Sequence, residues 1–129
     1  MKNESRGFEV ELELKICITT QDIDDIMCAA LEGGITSWCR LAKPVGRRLG
    51  EYAHEQIARG GSLMLYDAES NDKWELTLEK FLRGLARAIE DGASVTINAE
   101  DGTIDVSDVD ASVADSIVQL ALFGEVVFG

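Results

Sequence analysis

Basic residues are scarce in this sequence, with twelve lysines and arginines against twenty-four aspartates and glutamates and a formal net charge of -12 over 129 residues. A field of that sign repels DNA, RNA and anionic membranes at range, so direct nucleic-acid or membrane binding by the body of the protein is not expected. The scarcity is uneven, because Ala88 to Gly129 holds nine acids and no lysine or arginine. Long apolar runs are also missing. None reaches the roughly 18 residues that cross a bilayer, and the charged start MKNESRGFEVELELK has no apolar core of a signal peptide. A cytoplasmic protein is the expectation.

Cysteine, histidine and proline are sparse too. Cys17, Cys28 and Cys39 are odd in number and form no C-x-x-C pair, so neither a disulfide framework nor a zinc site is indicated. They read as buried free thiols on a strand, a helix and a loop. The single histidine, His54, has no serine or cysteine beside it in sequence and reads as a surface residue rather than a general base. DIDD at 22–25 and DVSDVD at 105–110 lack the glycine and distal glutamate of a calcium loop, and fit helix starts and caps instead. Gly33-Gly34 and Gly60-Gly61 follow expected helices rather than opening them, which makes them stops and not phosphate cradles. No catalytic residue, metal site or cofactor is assigned.

What is present is clear periodicity. Phe8 to Ile18 alternates apolar and charged residues, the signature of a long strand with Glu9, Glu11, Glu13 and Lys15 on its wet face. A helix capped by Thr19 or Thr20 follows, buried through Ile23, Ile26, Met27, Ala30 and Leu31. Pro44 breaks a loop or short extended stretch, and a second helix is expected from about Gly46 to Ala58 with Leu49, Tyr52, Ala53 and Ile57 inward. Leu63, Leu65, Trp74 and Leu76 flank a polar turn and predict a hairpin. Thr77 caps a third helix with Leu78, Phe81, Leu82, Leu85 and Ile89 on one face. SVTINAEDGTIDV predicts a second hairpin through Asp101-Gly102. A fourth helix starts at Asp110 or Ser112 and stops at Gly124, and EVVFG makes a last short strand. Hairpins outnumber parallel crossovers, so residues 1–129 are expected to form a single α+β domain with a mainly antiparallel sheet and about four helices.

The feature out of keeping with the rest is GGITSWCRLAKPVGRR, at 33–48, with four bases and no acid. Arg40, Lys43, Arg47, Arg48 and Arg59 fall within twenty residues, close to Trp38 and Tyr52. Guanidinium forks suit phosphates and aromatic rings stack on bases, so these seven residues form a candidate ligand-binding set for a small anion. The bland alternative is that the cations pair with the protein's own acids or with a second subunit.

TTQDIDDIMCAALEGGITSWC, GEYAHEQIARGGSLMLYDAES, KWELTLEKFL and ADSIVQLALFGEVVFG together resemble a family of small proteins encoded by phages and prophages of Firmicutes and gut bacteria. The resemblance spans Thr19 to the end, implies a viral accessory gene acting in the bacterial host cell, and carries over no catalytic residue. Small phage accessory proteins frequently counter host defence. The expectation is therefore a non-enzymatic counter-defence protein that sequesters a small nucleotide immune signal in a basic, aromatic-lined pocket. The alternative is an acidic nucleic-acid mimic that inhibits a host nuclease or CRISPR effector by direct binding. The apolar helix SIVQLALFG and the terminal VVFG suit either a core or the seam of a homo-oligomer.

Overall fold

Leu63, Leu65 and Leu76 alternate with Met64, Tyr66 and Glu75 along two runs separated by a polar turn, and this period of two folds as predicted. In the computed structural model, which describes residues 6–11 and 15–129, β2 (Ser62–Asp67) and β3 (Lys73–Thr77) pair antiparallel, with Leu63 opposite Leu76 and Leu65 opposite Trp74. The stretch left open in sequence supplies β1 (Cys39–Pro44), antiparallel to β2, so that the sheet order is β1-β2-β3. Its register shifts between Cys39, opposite Asp67, and Leu41, opposite Tyr66. Arg40 is the extra residue of that bulge. Pro44, which has no N–H to donate, closes the strand.

Among the described residues three α-helices share one core with this sheet. Thr19 and Asp22 form a reciprocal cap: Asp22 N–H donates to Thr19 Oγ1 and Thr19 N–H to Asp22 Oδ2, each at 3.0 Å. That cap starts α1 (Thr20–Ala29), which widens into a π-turn at Ala30–Gly34. Thr77 caps α2 (Leu78–Glu90), and Asp110 caps α3 (Ala111–Phe123). Gly124 ends α3 at φ 74°, the left-handed conformation that glycine adopts without strain. α2 and α3 pack closely because Gly84 has no side chain: a Cβ there would sit 2.5 Å from the Ile117 carbonyl oxygen and 2.7 Å from Ala121 Cβ. Phe81, Ile26, Met27, Ile57, Leu65, Leu76 and Ile117 fill one core between helices and sheet. Among the described residues the protein is thus α+β, with a three-stranded antiparallel sheet and three α-helices. A two-stranded hairpin, β4 (Thr96–Ile97) with β5 (Ile104–Asp105), lies apart from that sheet. Among the described residues no helix is long and apolar enough to cross a membrane.

The expected second helix, Gly46 to Ala58, is not formed. Residues 45–52 are irregular and only Ala53–Glu55 makes one 3-10 turn, with Leu49 and Tyr52 exposed. Side chains take the hydrogen bonds a helix would use. Glu55 accepts from the amides of Glu51 and Tyr52 at 2.8 and 2.9 Å, while buried Gln56 accepts from Leu49 N–H and donates to the Arg47 carbonyl. The long strand over Phe8–Ile18 is corrected as well. Its described part has one bridge, Cys17 to Thr103, with Phe8 and Val10 exposed, while Leu12, Glu13 and Leu14 lie outside the described residues. EVVFG is not a strand; Gln119 holds it by accepting from the amides of Val127 and Phe128, both at 2.8 Å.

Candidate functional site

The seven residues of the basic island have different fates. Trp38 is 4% exposed, its Nε1–H donating to Asp115 at 2.8 Å and its ring stacked on Phe128. Its indole packs with Trp74, Phe123 and Phe128 and has no face left for a ligand. That corrects its expected role as a stacking platform, for a physical reason: a large apolar ring gains more from the core than from water.

Arg59 turns away from the island. Its Nη1 lies 3.3 Å from Asp24 of α1 and its Nη2 3.7 Å from Glu55, so its charge is already met by two carboxylates. Arg40 stays on the sheet, where its guanidinium sits 5.3 Å from the Tyr66 ring centroid and Nε–H donates to the Asp67 carbonyl at 3.2 Å. It lines a cavity of about 240 Å³ with Leu31, Ile35, Thr36, Cys39, Leu41 and Ala42, to which the other six do not contribute.

Lys43, Arg47 and Arg48 are exposed and form no ion pair among the described residues. Lys43 projects from β1 opposite Met64, and the two arginines occupy the loop that Gln56 holds. Tyr52, 56% exposed, stacks on His54 with centroids 5.6 Å apart and planes 6° from parallel. The nearby amide of Tyr52, followed by that of Glu51 and the Arg59 guanidinium, holds the Glu55 carboxyl below its ordinary range. The structure therefore keeps Lys43, Arg47, Arg48 and Tyr52 on an open surface, and takes Trp38 and Arg59 away from it.

A second arrangement escaped the sequence reading. Asp22 and Asp25 from α1 and Asp105 from β5 line one groove of about 520 Å³, completed by Ile104, Val106, Ser107 and Val109. Among the described residues no lysine or arginine lines it. Hydrogen bonds from Ser107 hold Asp105 below the usual carboxylate range, and those from Thr103 do the same for Asp101. Glu100, Asp101, Asp108 and Asp110 are exposed on the same stretch of chain and form no ion pair among the described residues. The acids at 22–25 and 105–110 were legible as caps, and Asp22, Asp105 and Asp110 do cap. That α1 and the hairpin bring two of those caps together depends on tertiary contact.

The cysteines divide differently from the expectation of three buried thiols. Cys39 is buried, Cys28 half-buried and Cys17 exposed. Burial pushes the Cys39 thiol above its ordinary value of 9.0, and burial with neighbouring Glu32 does so for Cys28. Compared with protein-family models, curated proteins and solved structures, the chain matches none.

Proposed function

We propose that this chain is a non-enzymatic binding protein of the counter-defence kind, acting by direct contact between its acidic face and a basic host nuclease or CRISPR effector. The groove lined by Asp22, Asp25 and Asp105 carries the reading. Three aspartates from two separate elements line it, with no basic residue in the lining among the described residues. An arginine or lysine of a nucleic-acid-binding cleft would find there the charge it meets on a phosphate backbone. The net charge of -12 steers such an encounter and makes it salt-sensitive.

The sequestering alternative keeps a narrower footing. Lys43, Arg47, Arg48 and Tyr52 remain exposed, but the buried Trp38, the paired Arg59 and Arg40, held on the sheet against Tyr66 and Asp67, leave it with four of its seven residues. A nucleotide held there would rest on an open surface unless a second subunit closed over it.

The test uses purified protein against a panel of phage-restricting nucleases and CRISPR effectors, and separately against cyclic oligonucleotides. Asp25 is the residue to change, because its carboxylate accepts only from the exposed Gln21 side chain among the described residues and supports no cap. Inhibition of an effector that weakens with salt, and weakens about tenfold in Asp25→Lys, supports the acidic-face reading. Recovery of an intact cyclic nucleotide from the heated protein, with loss in an Arg47→Glu/Arg48→Glu variant, would replace it by sequestration.

A further inference from the structure

Phe8 and Val10 are apolar yet 81% and 78% exposed. Ile16 and Ile18 share their parity in the alternation but are half-buried, lining a groove of about 330 Å³ with Leu82, Leu85, Ala86 and Ile89 of α2. Leu82 is itself 39% exposed. The backbone beside this groove is open as well. Cys17 N–H donates to the Gly102 carbonyl at 2.8 Å, toward the β4–β5 hairpin. In an extended chain successive residues turn their N–H and C=O to opposite edges, so those of Ile16 and Ile18 face away from the hairpin. Among the described residues they have no backbone partner. An unpaired edge above an apolar groove is a template for an added strand.

We infer that the added strand is residues 8–11 of a second copy of this chain, paired antiparallel with residues 15–18 across a two-fold axis. In this register Phe8 of one copy lies opposite Ile18 of the other and Val10 opposite Ile16. Both exposed apolar side chains then descend onto the partner's groove. Glu11 falls opposite Lys15 and Glu9 opposite Cys17 on the outer face, so a carboxylate meets an ammonium group twice in the dimer, once on each side of the axis. Even-numbered residues form the hydrogen-bonded pairs, matching the edge that Ile16 and Ile18 leave free. The same segment does not cover its own groove, since Phe8 and Val10 stand in water. The groove that the added strand covers shares no lining residue with the acidic groove, and the inference does not rest on the function proposed above.

Sedimentation equilibrium of the intact chain is expected to give twice the 14.1 kDa monomer mass. Val10→Glu, at a position exposed in the monomer, is expected to give 14.1 kDa with an unchanged circular dichroism spectrum. Glu11→Lys and Lys15→Glu should each weaken the dimer about tenfold, and together restore it. Oxidised Glu9→Cys should run as a covalent dimer on a non-reducing gel, lost when Cys17→Ser is added. A monomeric wild-type protein at its highest soluble concentration would overturn the inference. So would charge variants whose combination is no better than either alone, or a Glu9→Cys variant whose new thiol bonds to Cys17 of its own chain.

Discussion

The indole of Trp38 lies flat on the ring of Phe128, centroids 5.0 Å apart and planes 5° from parallel. Two residues ninety positions apart in the chain thereby join the start of β1 to the segment after α3. Phe123 and Trp74 close the cluster at 5.1 Å, edge to face. Buried Gln119 fixes the geometry, since its Nε2 donates to Asp115 and to the Phe128 carbonyl while its Oε1 accepts two amides. The tryptophan that the sequence placed among ligand-binding candidates is a keystone of the fold.

Phe128→Ala should therefore destabilise the protein by about 2 kcal/mol, reflecting a half-buried ring and its stacking contacts. Urea unfolding followed by tryptophan fluorescence measures it. The native spectrum of Trp38 should also shift to the red as water reaches the exposed indole face.

At Gly84 the usual effect of a glycine-to-alanine change reverses sign. In an exposed helix interior the change stabilises by about 1 kcal/mol. Here the added methyl meets the Ile117 carbonyl oxygen and Ala121, which are packed backbone and cannot swing aside. Gly84→Ala should cost about 2 kcal/mol in thermal or urea unfolding. A stabilised variant would show that α2 and α3 sit farther apart.

Gln56 is the prop beneath the arginine loop. Replacing it with methionine keeps the volume but leaves Leu49 N–H and the Arg47 carbonyl without their partner. A loss of about 2 kcal/mol is expected. Hydrogen exchange at Leu49 should speed up well beyond that of β2. Binding that depends on Arg47 and Arg48 should weaken in this variant although both arginines remain.

Alkylation should follow burial and thiol acidity in the folded protein. Cys17, exposed, reacts first; Cys28 is slower; Cys39 reacts only as the protein unfolds. The same shift has a stability consequence. The folded-state value of Cys39 is raised above its unfolded value near 9.0, so the buried thiol favours the native state fully below that pH. That contribution is lost as pH rises toward the folded-state value. Urea midpoints should therefore fall on the alkaline side of pH 9.0 in wild type, and fall less in Cys39→Ala.

Local rules written into the sequence settled the elements whose hydrogen bonds and apolar stripes close within a dozen residues. The β2–β3 hairpin, α2 behind Thr77, α3 between Asp110 and Gly124, and the cap at Thr19 are of this kind, because period and cap chemistry need no distant partner. Charge alone also showed where bases are missing. Tertiary structure decided the remainder. Gln56 and Glu55 captured backbone groups that would otherwise have made a fourth helix, Asp24 claimed Arg59, and Phe128 and Asp115 drew Trp38 inward. Periodicity reports which side chains share a face, but not which distant carboxylate or ring will meet them there. Packing chose the partners, and so parted a cluster that was contiguous only along the chain.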